Sequence, residues 1–84
     1  MYHVEVNDDV ADQIAALPAE ALHSFASVLD LLALHPWSGD SYNRRNPDAE
    51  MRVHTLGEKH EGLIVYLILE RQQRVAVLRV LWSS

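Results

Sequence analysis

Residues 62–82 read Gly62-Leu63-Ile64-Val65-Tyr66-Leu67-Ile68-Leu69, then Glu70-Arg71-Gln72-Gln73-Arg74, then Val75-Ala76-Val77-Leu78-Arg79-Val80-Leu81-Trp82. Two runs rich in Val, Ile and Leu, split by a short polar gap, predict a β-hairpin. The first run has no polar break, so it does not alternate between a wet and a dry face. It predicts a central strand covered on both faces for most of its length. The second run carries one charge, Arg79. Burying an unpaired guanidinium is costly, so Arg79 either has an acidic partner, with Glu5 and Glu50 as candidates, or lines an open cleft.

Upstream of the hairpin, Tyr2-His3-Val4-Glu5-Val6 alternates and predicts a short half-buried strand. Asn7, Asp8 and Asp9 suit a helix start, where side-chain oxygens cap free N–H groups and carboxylates meet the positive helix end. Val10, Ile14 and Leu17 fall on one helical stripe, and Pro18 ends that helix or opens the next. A longer helix is expected over residues 18–35, with Leu22, Phe25, Leu29 and Leu32 on its apolar face and Pro36 as its stop. Residues 36–50 lack periodicity and read as a long loop, a length often tied to function. Alternation resumes at residue 51: Arg52, His54 and Leu56 share one face, and Met51, Val53 and Thr55 the other. The expected class is α+β in the order β-α-α-β-β-β. A helical hairpin packs on one face of a mainly antiparallel four-stranded sheet, in a single domain over residues 1–84.

Composition sets limits on function. Apolar residues make up 49% of the chain, enough for a compact core. There is no cysteine, which removes disulfides and thiolate metal sites and fits a reducing cytoplasm. No basic start leads into an apolar run and no run is long enough to span a bilayer, so neither a signal peptide nor a membrane segment is expected. The net charge of −5 argues against a general nucleic-acid binder. Its distribution is uneven. The first 43 residues hold seven acids and no lysine or arginine, giving −7; the last 41 hold seven bases and five acids, giving +2. Such a separation steers an anionic partner toward one part of the molecule. No paired-ligand spacing such as H-E-x-x-H occurs, so no metal and no cofactor is expected.

The order of elements resembles the RelE/ParE superfamily of bacterial toxins from type II toxin–antitoxin systems. The likeness is carried by Tyr2-x-Val4-x-Val6, a short helix closing on Leu17-Pro18, and Asp30-Leu31-Leu32 running to Pro36-Trp37. It continues with Met51-Arg52 entering a strand, Gly62 to Tyr66, and the closing Val77-Leu78-Arg79-Val80. The resemblance implies a cytoplasmic toxin neutralised by a cognate antitoxin protein. In the RelE-like version it is a ribosome-dependent mRNA endoribonuclease that inhibits translation, with ribosome and mRNA as partners. The alternatives are a ParE-like toxin that binds DNA gyrase without chemistry, and a catalytically degenerate member that binds only its antitoxin or itself as a homodimer.

RNA cleavage by 2′-OH attack needs a base, an acid, and cations for the charged phosphorane. By resemblance, Arg52 and Arg79 occupy the places of phosphate-stabilising arginines. His54 shares a strand face with Arg52 and is the first candidate for the base; His60 is the other imidazole of the basic half, with Glu50 and Glu58 in reserve. Arg44 and Arg45, beside Tyr42 and Asn43, can hold a phosphate or a base face. Tyr66 serves either as an RNA-stacking ring or as a core residue with its hydroxyl bonded. Trp37 is expected to plug the end of the core, and Trp82 to cap the sheet or meet a partner. Ribosome-dependent members of the family often carry a Tyr or His-Tyr near the C-terminus and many surface lysines. This chain ends Leu81-Trp82-Ser83-Ser84 and has only Lys59.

Overall fold

The computed structural model describes residues 1–43, 45 and 49–83. Strand β1 (His3–Val6) leads into helices α1 (Asp8–Ala15) and α2 (Ala19–Leu34). A 3-10 turn (Pro36–Ser38) then delivers the chain to β2 (Asp40–Ser41), β3 (Met51–Leu56), β4 (Gly62–Leu69) and β5 (Arg74–Trp82). The sheet runs β1-β5-β4-β3-β2, with β4 at its centre. Every neighbouring pair is antiparallel except β1 with β5, which is parallel. The expected α+β class holds, with one strand more than expected. The extra strand, β2, is a two-residue edge inside the stretch read as a loop, too short to leave a periodic signature.

Local chemistry sets the helix boundaries. Asp8 and Asp9 occupy the first turn of α1, at the positive end of its dipole. Pro18 stands in extended conformation just before α2, where its missing N–H costs nothing. Pro36 follows the end of α2 and opens the 3-10 turn. No helix among the described residues is long and apolar enough to cross a membrane.

Both helices pack on one sheet face. Val10, Leu17, Ala21, Phe25, Val28 and Leu32 meet Leu56, Ile64, Tyr66, Ile68, Val75, Val77 and Val80. Each fully buried aliphatic or aromatic side chain contributes about 1.5–3 kcal/mol. The buried stripe of α2 is Ala21, Phe25, Val28 and Leu32, while Leu22, expected inside, is 40% exposed. With Ala21, Phe25, Val28 and Leu32 on the buried stripe, Leu22 falls one position beyond it.

The opposite face carries neither helix. Alternation along β4 sends Ile64, Tyr66 and Ile68 to the core and Leu63, Val65 and Leu67 to the other side. Leu63 is 39% exposed there, while Val65 is buried and Leu67 half-buried among neighbouring strand side chains. The strand expected to be covered on both faces for most of its length is covered on both only in its middle.

A β-bulge in β5 decides where its charge points. Val65 pairs with Arg79, yet Tyr66 pairs with Val77, which leaves Leu78 as an extra residue. Val75 and Val77 face the helices, and so does Val80, a spacing of two followed by three. Strict alternation from Val77 would have driven Arg79 under the helices. The inserted residue re-aims it to the open side. Beyond Val77, β5 has outrun its parallel partner β1. There the Val80 N–H finds its acceptor in the Gln13 side-chain oxygen of α1, at 2.8 Å.

Candidate functional site

The uncovered sheet face holds a depression of about 870 Å³. Its floor is apolar, built from Met51 and Val53 of β3, Leu63 and Val65 of β4, and Leu78 and Leu81 of β5. Thr55 of β3 adds a hydroxyl, and the other polar groups lie toward opposite edges of the sheet. Asp40, Ser41 and Tyr42 come from β2 and its exit, and Arg79 from β5. The register puts Asp40, Val53, Val65 and Arg79 in one cross-strand row. Arg79 is exposed, and among the described residues no carboxylate pairs with it. Glu5, one of its candidate partners, instead meets Arg74 at 3.0 Å. Tyr42 is 59% exposed, and its backbone N–H is held by the Met51 carbonyl at 2.9 Å.

Arg52 is a different kind of arginine. It pairs across β3 and β4 with Tyr66 and therefore faces away from the depression. Only 8% exposed, it is closed in by the 3-10 turn. Its Nη2 donates to the carbonyls of Gly39 and, at 3.5 Å, Trp37; its Nη1 donates to that of Ala49 at 3.4 Å. The guanidinium carbon lies 5.1 Å from the centre of the Trp37 ring, within cation–π range. Arg52 thus grips both ends of the 39–49 segment from behind, fixing the stance of Asp40 and Tyr42 on the other face. Gly39 is part of this clamp. A Cβ there would collide with the Tyr66 hydroxyl and the Val53 carbonyl.

The three residues read as a catalytic set are not brought together. Arg52 and His54 share one face, as their alternation predicts, but the sheet stands between them and Arg79. His54 Nδ1 lies 2.8 Å from the Thr55 carbonyl oxygen, so that nitrogen carries the proton and donates it. Tyr66 is fully buried and donates its hydroxyl to the Pro36 carbonyl at 2.6 Å. Burial pushes its phenol pKa upward. No RNA base can reach that ring, and the packing alternative replaces the stacking one. Arg45 is exposed, with its backbone N–H bound by Asn43 Oδ1 at 3.0 Å. Arg44 lies outside the described residues. His60 occupies the turn between β3 and β4 with a left-handed φ of 59°. Among the described residues, no three His, Asp or Glu side chains gather closely enough to hold a metal ion.

A second polar cluster ties Tyr2, just before β1, and Trp37 of the 3-10 turn to the turn between β4 and β5. The Tyr2 hydroxyl donates to the Glu70 carboxylate at 2.7 Å, and the Trp37 indole N–H donates to it at 3.2 Å. The Tyr2 bond holds the Glu70 carboxyl below its usual range, and the same bond holds the Tyr2 phenol above its own.

Sequence reasoning missed Asp40 as a site residue and gave Tyr42 only a flanking part. The available signal was the unbroken apolar run of β4. With one sheet face filled by two helices, the residues of the other parity, Leu63, Val65 and Leu67, mark a second apolar face, exposed at Leu63.

No protein-family model matches the sequence, and no curated protein sequence matches it significantly. Solved structures do. The isolated Escherichia coli RelE toxin superposes with a TM-score of 0.79 at 10% identity, covering 100% of this chain and 86% of that one. The toxin–antitoxin complex E. coli RelBE gives a TM-score of 0.78 at 12% identity over 100% and 99% of the two chains. The Mycobacterium tuberculosis complex RelBE2 gives 0.70 at 20% identity over 96% of each. At these identities the likeness is one of architecture: over its whole length this chain has the fold of the RelE toxins.

Proposed function

We propose that this protein is the toxin of a toxin–antitoxin pair and acts as a ribosome-dependent mRNA endoribonuclease. The observation that carries the reading is Arg79, a guanidinium on the uncovered face, in the wall of a depression, with no carboxylate beside it among the described residues. Attack of a 2′-OH on phosphorus builds negative charge on the phosphoryl oxygens, and a fixed guanidinium opposes that charge; one such donor accounts for about 10²–10³ in rate. Arg52 supports the site from the far face by holding the carbonyls of Gly39 and Ala49. One cation in the depression among the described residues and a net charge of −5 give little counterion-release drive toward free RNA. The ribosome therefore has to present the mRNA, which places the work in the cytoplasm. The antitoxin is a protein that covers the same apolar face.

In a translating extract, purified wild-type protein gives discrete mRNA cuts by primer extension. Arg79→Ala gives none, and the same mRNA stays whole without ribosomes. Intact mRNA in the presence of folded wild-type protein overturns this reading.

A second reading is favoured by the floor itself. Met51, Leu63 and Leu81 are exposed aliphatics, a surface suited to a protein more than to a phosphate backbone. A ParE-like toxin would dock DNA gyrase there without chemistry. Supercoiling blocked by micromolar protein, with mRNA left intact, selects that reading. Expression without growth arrest instead leaves a member that only binds its antitoxin.

A further inference from the structure

We propose that Asp40 is the proton acceptor in the cleavage, an assignment that rests on the RNA-cleaving reading above. The residues first eligible as base lie elsewhere. His54 is on the helix-covered face. Glu58 lines a separate cavity with His23 and Trp82, and Glu50 lines another beside Arg71. His60 sits in the turn after β3. Among the described residues, Asp40 is the only carboxylate in the wall of the depression that holds Arg79, and no imidazole lines it.

Geometry places the two charges as opposite poles of one row. Asp40 and Arg79 are separated by Val53 and Val65, three strand spacings of about 4.8 Å, or roughly 14 Å between Cα atoms. A guanidinium leaning inward from Arg79 narrows that span. The remaining gap suits one phosphodiester with its neighbouring 2′-OH, which needs a hydrogen bond of about 2.8 Å at each end. Between them lies an attack distance of about 3–3.5 Å. The two valines between the poles are small and apolar, so nothing in the row competes for the phosphate or the hydroxyl. Asp40 is also held in place. Its backbone pairs with Val53, and the Gly39 carbonyl before it is gripped by Arg52 from behind.

The step balances as follows. The 2′-oxygen forms a bond to phosphorus, and its proton passes to the Asp40 carboxylate. The bond from phosphorus to the 5′-oxygen breaks, leaving a 2′,3′-cyclic phosphate, and solvent water protonates the departing oxygen. The proton on Asp40 then returns to solvent, so none is gained or lost. Arg79 opposes the charge on the non-bridging oxygens throughout.

The test compares wild-type, Asp40→Asn and Arg79→Ala proteins in a translating extract, scoring cut mRNA and, by cosedimentation, ribosome association. Asp40→Asn keeps shape and hydrogen bonding while losing basicity. It should cut at least about 100-fold more slowly, as expected for loss of a general base, and still cosediment with ribosomes. Asp40→Glu should recover part of the rate. Cutting by Asp40→Asn within about 3-fold of wild type overturns the assignment while leaving the RNA-cleaving reading intact. Loss of ribosome association in Asp40→Asn also overturns it, by making the residue a binding contact. Wild-type protein that never cuts mRNA fails both ideas together.

Discussion

Arg52 and Arg79 stand on strands of one sheet, two strands apart, and their surroundings could hardly differ more. Arg52 is sealed behind the 3-10 turn, with backbone carbonyls and an indole ring as its partners. Arg79 projects from the other side of the sheet over an apolar floor, with no carboxylate partner among the described residues. One guanidinium is committed to holding the fold, and the other is available to a ligand. What a charged residue in a strand does is set by which face it reaches and what that face already holds, more than by its type.

The contrast can be broken most sharply by exchanging the readouts. Arg79→Ala should abolish mRNA cutting, a loss of at least about 10², while urea unfolding shifts by under about 0.5 kcal/mol, as for other surface changes. Arg52→Ala should reverse this. Stripping the donor from the buried Gly39 carbonyl and the part-buried carbonyls of Trp37 and Ala49 should lower unfolding free energy by about 3 kcal/mol, read by the same urea titration. Equal stability losses in the two variants would erase the distinction. The same comparison extends to the faces themselves. Leu32→Ala, in the covered core, should cost about 2–5 kcal/mol, whereas Leu63→Ala on the open face should cost under about 1 kcal/mol. Next comes Gly39→Ala, whose new methyl meets the Tyr66 hydroxyl and the Val53 carbonyl; it should cost about 1–3 kcal/mol and loosen the 39–43 amides in hydrogen exchange.

The smallest effect concerns pH. Because Glu70 has a lower carboxyl pKa folded than unfolded, its bond to Tyr2 contributes fully above the ordinary value of 4.5. That contribution fades as pH falls through the lower folded value. Both groups are solvated, so the change is modest. Glu70→Gln should flatten the melting temperature profile below pH 4.5 relative to wild type.

Much of this was legible in the chain. The paired apolar runs gave the β4–β5 hairpin, the prolines at 18 and 36 bracketed α2, and alternation put Arg52 with His54. The failures share a cause. Met51, Val53, Leu63 and Val65 are as apolar as core residues, so strand pattern alone could not say which face the helices would take. Leu56, fully buried on the parity of Arg52, carries the answer only once packing is known. The 3-10 turn that seals Arg52 comes from a stretch with no period. The shift from Val77 to Val80 was visible as a spacing of three, but a Leu between them disguises the irregularity, because leucine is at home on either side. Asp40 escaped notice because a lone aspartate in a loop carries no pattern, and only the cross-strand register aligns it with Arg79.

Orientation of the β5 guanidinium is a matter of counting. Remove one residue from the Val77–Arg79 step, leave every charge in the chain as it is, and the cation turns inward among the helices while the pit across the sheet loses it. Insertions and deletions in this strand are therefore changes of electrostatics, whatever residue is added or lost.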